Sequence, residues 1–265
     1  MTNSKIFLVA TCGQGIIKSA DGGKNWTRLP IYQDIEYDDI VRTLHIDPND
    51  LSSIYAGFQG GFAKSVDAGE TWSRFSSFLD NYCVWKIAID PKNTDNIYVG
   101  TGAPTRAFAA RSTDGGRTFK RLSLSFPERC PGVSRPRLLA MAVDPEETNN
   151  IWAGAEEGGL YHSSDNGETW RRVDTEIHGK VSMSSDIHDV IVVPGSPKRI
   201  IVSTVLAIHI SEDNGETWNC IMAKEQFGYR YSRNIVGLQD ADKTLLHAVS
   251  DSTPGTIGLV HRSVD

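Results

Sequence analysis

The sequence predicts an all-β fold made of repeated antiparallel sheets, and three observations lead to this prediction. An eight-residue motif, Ser-x-Asp-x-Gly-x-x-Trp/Phe, occurs five times, and a sixth copy begins at Ser263. The central aspartates are separated by 46, 47, 51, 48 and 52 residues. The chain also contains 24 glycines, which suits many tight hairpins. A repeat of about fifty residues is typical of one propeller blade. We therefore expect a six-bladed β-propeller of four-stranded antiparallel blades.

The motif predicts a tight turn between two strands of a blade. The serine and aspartate side chains can hydrogen bond to backbone groups within the turn. The motif glycine is expected to adopt a positive φ, and the aromatic residue to open the next strand and pack against a neighbour. Because every repeat carries the motif, it is predicted to be structural and not catalytic. The copies lie at residues 19–26, 65–72, 112–119, 163–170 and 211–218.

The predicted blades together form a single domain, residues 1–265. Residues 1–30 supply a partial blade, residues 31–232 four full blades, and residues 233–265 a last partial blade. The ring is then one strand short at each end. The sequence therefore predicts a closure that is incomplete, or truncated at the C-terminus.

These motifs resemble Asp-box (BNR) repeats, and the resemblance covers nearly the whole chain. Proteins with such repeats include sialidases, xyloglucan-cleaving glycosidases, sortilin-type receptors and photosystem II assembly factors. The resemblance implies a β-propeller with Asp-box turns. It is not specific for any one of these activities, and the Arg-Ile-Pro motif of sialidases is missing.

Composition excludes several classes of partner. The chain has 27 Lys and Arg against 33 Asp and Glu, a net charge of −6, so it offers no basic footprint for nucleic acid or an anionic membrane. No apolar run is long enough to span a bilayer. Four cysteines without metal-ligand spacing read as reduced thiols. We expect a cytoplasmic protein, without a cofactor or a metal.

The site is expected where equivalent positions of the repeats differ, at the mouth of the central channel. Such positions lie at the start of the first strand of each repeat and in the loop after its second strand. Carboxylates and a histidine there are candidates for proton transfer, namely Glu156, Glu157, Asp186 and His188. Guanidinium and aromatic groups are candidates for binding a carboxylate or a sugar, namely Arg42, Trp85, Arg106, Arg137, Tyr231 and Arg233.

Three functions fit these residues. The first is a hydrolase of glycosidase-like type that binds a polar or anionic small molecule or glycan at the channel mouth. The second is a non-catalytic propeller that binds a protein or peptide, as assembly factors and receptors do. The third is a lyase that acts on a small acid. Fold alone does not choose among them, and the sequence leaves the oligomeric state open.

Overall fold

The computed structural model describes residues 5–29, 39–130, 132–173, 186–238 and 244–263. The chain forms two compact units, Met1–Leu122 (unit 1) and Ser123–Asp265 (unit 2). The described residues contain six antiparallel sheets and two short helices. No helix within these ranges is long and apolar enough to cross a membrane.

Unit 1 contains a three-stranded sheet, a second three-stranded sheet and a four-stranded sheet, each a meander in chain order. A short 3-10 helix, Phe78–Asn81, precedes the third sheet. The strands are β1 (Phe7–Ala10), β2 (Ile16–Ser19) and β3 (Thr27–Arg28); β4 (Val41–Ile46), β5 (Ile54–Phe58) and β6 (Gly61–Ser65); and β7 (Cys83–Ile89), β8 (Ile97–Gly102), β9 (Phe108–Ser112) and β10 (Lys120–Ser125), the last of which runs past the end of the unit.

Unit 2 contains two four-stranded sheets and a three-stranded sheet, with a short helix, α1 (Ala223–Phe227), between the last two. The strands are β11 (Leu138–Val143), β12 (Ile151–Ala155), β13 (Gly159–Ser163) and β14 (Arg171–Val173); β15 (Ile187–Val193), β16 (Arg199–Thr204), β17 (Ala207–Ser211) and β18 (Asn219–Met222); and β19 (Tyr231–Gly237), β20 (Leu245–Ser250) and β21 (Gly258–Ser263).

The all-β prediction and the antiparallel meanders are confirmed, but the second sheet differs from the expected four strands. After the β6 turn the chain pairs with β6 only through a single bridge between Lys64 and Ser73. It then turns into the 3-10 helix, whose start is capped by Ser77, with Asp80 reaching back to the Ser77 amide. This capped helix diverts the chain before a fourth strand can form. The single domain over residues 1–265 stays a prediction.

The second strand of each sheet is the most deeply buried. Every residue of β5, β8 and β12 is buried, as expected for apolar strands that are covered on both faces. In unit 2, a β-carbon added at Gly154 of β12 would overlap the Ile187 side chain at the start of β15. Glycine therefore allows β12 and β15 to approach closely, and this fixes the position of the residues on either side of Ile187.

The five turns repeat one set of hydrogen bonds. In the turn at residues 211–218, Ser211 Oγ donates to Asp213 Oδ1 (2.8 Å) and accepts from the Gly215 amide (2.8 Å). Asp213 Oδ1 also accepts from the Thr217 amide at 2.9 Å. The motif glycines all have a positive φ, between 84° and 91°, which confirms the predicted conformation. The aromatic residue varies: Trp218 is buried, whereas Trp26 is 44% exposed.

Replacing Asp213 with alanine is expected to destabilise the protein by about 1–3 kcal/mol, because several donors lose a charged acceptor. Hydrogen bonds, first that of the Thr217 hydroxyl, lower the pKa of Asp213 to about 2. Urea unfolding at neutral pH measures the loss. Its neighbour Glu212 is exposed, and Glu212→Ala is expected to change stability by less than about 0.5 kcal/mol. Equal stability of the two variants would contradict a structural role for the motif.

Candidate functional site

Arg137 and Glu156 meet at the end of the ladder between β11 and β12. The last pair in register is Leu138 opposite Ala155, so the two residues come next on their respective strands. The Glu156 amide donates to the Arg137 carbonyl at 2.9 Å. Their side chains form an ion pair between Arg137 Nε and Glu156 Oε2. Glu156 is only 4% exposed, so its carboxylate is held inside unit 2 by the arginine.

Asp186 and His188 lie at the start of β15. The pairing of β15 with β16 shifts between Ile187 and Asp189, so His188 is an extra residue in the strand. Its Nδ1 lies 2.6 Å from the Ser232 carbonyl oxygen. A carbonyl oxygen only accepts, so Nδ1 carries the proton and donates it. His188 Nε2 then faces Asp186 Oδ1 at 3.4 Å.

Glu156, Asp186 and His188 form one group, here called the Glu156 cluster. Each residue offers one nitrogen or oxygen atom, and these atoms lie within 4.8 Å of one another. Burial raises the pKa of Glu156 above its usual range, although Arg137 beside it acts in the opposite direction. The Asp186 and Arg137 side chains are 24% and 27% exposed. The cluster therefore reaches solvent through Asp186 and beside Arg137, while Glu156 and His188 are buried.

Strand β19 adds an aromatic ring and a second guanidinium group. The ring centroids of Tyr231 and His188 are 5.3 Å apart, and Arg233 Cζ lies 5.3 Å from the Tyr231 ring centroid. Asp189 anchors β19 to β15, since its Oδ2 accepts from the Ile235 amide at 3.2 Å. The structure thus places Arg137 and Tyr231 next to the cluster. It places Arg233 next to Tyr231.

One structural device presents these variable residues. The first strand of five sheets shifts register near its start, after Val41, Val84, Leu138, Ile187 and Ser232. Such a bulge re-aims the side chain of the extra residue and is common next to functional sites. The residues within the shifts are Arg42, Trp85, Leu139, His188 and the pair Arg233 and Asn234. These are the positions at which the sequence predicted functional variation, although the shift itself was not predicted.

The candidates in unit 1 make their own contacts. Arg42 Cζ lies 4.1 Å from the centroid of the Trp85 ring. The indole Nε1 of Trp85 donates to the Ala103 carbonyl at 2.7 Å, which fixes the ring. Arg106 lies in the loop between β8 and β9, where its carbonyl accepts from the Thr101 hydroxyl. Arg42 and Trp85 therefore form one stacked pair, and Arg106 lies outside it.

Glu157 differs from its neighbour Glu156. Its backbone has a φ of 54°, and its Oε2 accepts from the Gly132 amide at 2.8 Å. The structure places Glu156 in the cluster and directs Glu157 to a loop amide. Of the two alternatives that the sequence offered, Glu156 is the one positioned beside His188.

Ser232 was not identified from the sequence, although it lies between Tyr231 and Arg233. Its carbonyl orients His188. Its hydroxyl contacts Ser203 Oγ at 2.7 Å and His247 Nε2 at 2.8 Å, and all three residues are buried. Only the alternation of β19 hints that Ser232 points inward. This network holds the strand that supports the imidazole.

Comparison with characterised proteins finds xyloglucanases. No family model matches the chain. It is 25% identical to a xyloglucanase of Hypocrea jecorina over 81% of this chain and 30% of that protein. It is 30% identical to the xyloglucanase Xgh74A of Acetivibrio thermocellus over 61% of this chain and 23% of that protein. The chain therefore spans less than a third of the length of these relatives.

Solved structures with a similar fold include enzymes of the same group. An ancestral GH74 enzyme has a TM-score of 0.69 at 13% identity, over 97% of this chain and 37% of that one. The GH74 xyloglucanase of Xanthomonas campestris has a TM-score of 0.60 at 21% identity, covering 84% and 36% of the two chains. YCF48 of Cyanidioschyzon merolae has a TM-score of 0.55 at 19% identity, covering 84% and 67%. At these identities the likeness concerns the fold alone, which is propeller-like.

Proposed function

We propose that this protein is a glycoside hydrolase-like propeller that cleaves a glycan of the xyloglucan type at the Glu156 cluster. One observation carries the proposal: Arg137, Glu156, Asp186 and His188 converge in unit 2, from two neighbouring sheets. Similarity to xyloglucanases supports the choice of substrate class. Because the chain spans only part of those relatives, the activity is proposed for this chain on its own residues.

The cluster contains the groups that glycosidic cleavage requires. The reaction needs a proton for the departing oxygen and an activated water or nucleophile, usually provided by two carboxyl groups. Glu156 and Asp186 supply these groups, and His188 adds an imidazole as a further group able to transfer a proton. Burial raises the pKa of Glu156, and a raised pKa suits a carboxyl group that donates a proton.

Tyr231, Arg233 and Arg137 are the proposed binding groups. An aromatic ring offers an apolar face for a sugar ring, and a guanidinium group offers several fixed donors for sugar oxygens. Tyr231 lies beside His188, so a sugar stacked there would place its neighbouring bond near the cluster. In unit 1, the stacked pair of Arg42 and Trp85 offers the same two kinds of group.

A more detailed fold is proposed as well. We infer that the six sheets are blades of one propeller over residues 1–265, with the Asp-box turns lying within the blades. The repeated turn hydrogen bonds and the positive φ of each motif glycine support this. A cytoplasmic location also stays a prediction.

A cleavage assay with xyloglucan oligosaccharides tests the function. We expect new reducing ends to form. Bound glycan is also expected to raise the melting temperature, because at a hundredfold excess over Kd it adds about 2.7 kcal/mol of stability. Sialyllactose and small carboxylic acids serve as comparison ligands. Binding without cleavage would favour the non-catalytic alternative. If the folded protein shows no cleavage and no thermal shift, the proposal is wrong.

A further inference from the structure

We propose that the Glu156 cluster binds a divalent transition-metal ion of the Zn²⁺ kind. The proposed ligands are His188 Nε2 and one carboxylate oxygen each from Asp186 and Glu156. From the sequence, no metal is expected. In the structure, the two carboxylates complete the set of donors.

The first argument is the orientation of His188. Its Nδ1–H donates to the Ser232 carbonyl, so in the neutral ring Nε2 presents a lone pair. That lone pair faces Asp186 Oδ1, which is itself an acceptor, at 3.4 Å. Among the described residues neither atom has a hydrogen-bond partner, and His188 is 2% exposed. Two buried acceptor atoms at this distance are stabilised by a cation between them, either a proton or a metal ion.

The second argument is distance. Zinc bonds to nitrogen and oxygen measure roughly 2.0–2.1 Å, so two ligand atoms at a tetrahedral ion lie about 3.3–3.4 Å apart. The separation of His188 Nε2 and Asp186 Oδ1 is 3.4 Å. The Glu156 oxygen lies within 4.8 Å of both, so Glu156 has to move closer to complete the same shell.

The third argument is the support behind each ligand. A metal-binding histidine almost always donates its other N–H to a carbonyl or carboxylate, which fixes the ring. The Ser232 carbonyl does this for His188, and Ser203 and His247 hold Ser232 in turn. Arg137 holds Glu156 through an ion pair. His188 is therefore positioned by the fold before any ion binds, and Glu156 is held close to it.

The charge of the site and the types of its donor atoms limit which ions it can bind. With a neutral imidazole, Glu156, Asp186 and Arg137 together carry one net negative charge, which a divalent cation would reverse. An imidazole nitrogen combined with carboxylates suits Zn²⁺ or Mn²⁺, whereas Mg²⁺ and Ca²⁺ favour oxygen ligands alone. A proton shared between His188 and Asp186 is the competing cation, and the experiment separates the two.

This inference concerns the same three residues as the proposed function and rests on it for the location of the site; with an ion bound, they act as its ligands and not as proton donors or acceptors. Ion binding is measured without glycan, so either can fail without the other. A chain that binds zinc but cleaves no glycan would contradict only the proposed function. A chain that cleaves glycan after full chelation and binds no zinc would contradict only the metal site.

Isothermal titration of the full chain, stripped with EDTA, with Zn²⁺ and separately with Mn²⁺ at pH 7.5 tests the site. We expect one zinc ion per chain. Asp186→Asn and His188→Ala are expected to weaken binding by about 10- to 100-fold or more. The matched control is Glu157→Gln, because this neighbouring carboxylate faces the Gly132 amide instead and its loss is expected to leave zinc affinity unchanged.

Two results would overturn the metal site. The first is a folded wild-type chain that takes up no stoichiometric zinc, which would leave the proton as the cation between His188 and Asp186. The second is an unchanged zinc affinity in Asp186→Asn. This variant keeps the shape of a partly exposed side chain, so it decides the test even where His188→Ala fails to fold. Circular dichroism confirms folding of each variant.

Discussion

Replacing Asp186 with asparagine is expected to lower kcat/KM for xyloglucan oligosaccharides by about 10²- to 10⁴-fold. The amide keeps the shape of the side chain but removes the negative charge and the proton acceptor facing His188. Because the side chain is 24% exposed, the free energy of unfolding is expected to change by less than about 1 kcal/mol. Reducing-end kinetics and urea unfolding measure the two effects separately.

The control for this prediction is Glu216→Gln, which removes a carboxylate from the turn at residues 211–218. Glu216 is 71% exposed and pairs with Arg171 at 3.4 Å, outside the Glu156 cluster. It is expected to keep full activity. Equal activity of Asp186→Asn and Glu216→Gln would show that the cluster is not the reacting centre.

Acid is expected to destabilise unit 2 through two buried histidines, His209 and His247. Burial lowers the pKa of each from 6.5 to about 4, and His261 adds to the effect at His247. The unfolded chain therefore binds protons between pH 6.5 and 4 that the folded chain refuses, so stability falls as the pH falls. Each histidine contributes a loss on the order of 3 kcal/mol by pH 4.

Urea unfolding at several pH values between 7 and 4 measures this loss. The turn aspartates contribute little in that window, because the pKa of Asp165 and Asp213 falls from 3.8 in the unfolded chain to about 2 in the folded chain, so most of their loss lies below pH 4. His209→Leu removes one titrating group and is expected to flatten the pH dependence. A stability that is constant from pH 7 to 4, or an unchanged slope in His209→Leu, would contradict the assignment.

The repeat turns could be predicted from the sequence because their interactions are local. The partners of Asp213 lie within four residues of it, so spacing alone defines the turn. The missing fourth strand after β6 also has a local cause, the capped helix at Phe78–Asn81. However, residue types alone do not show whether the capped helix is more stable than a fourth strand would be.

The site was only partly predictable because its contacts join distant segments. The sequence named Arg137, Glu156, Asp186 and His188, since these positions differ between repeats. It could not choose between Glu156 and Glu157, because the choice depends on the positive φ at Glu157 and on an amide 25 residues away. Nor could it identify the Ser232 carbonyl, because a backbone acceptor leaves no mark on residue type.

The register shift shared by five first strands separates folding from recognition. Backbone bonds continue on both sides of each shift, so the side chain within it is not required to fill a ladder position. Arginine, tryptophan, leucine and histidine all occupy such positions in this one chain. Each of these five sheets thus holds one position whose side chain can change without loss of strand pairing. A lineage with this scaffold can change what it selects by single substitutions, while the turns and buried strands that fold it stay the same.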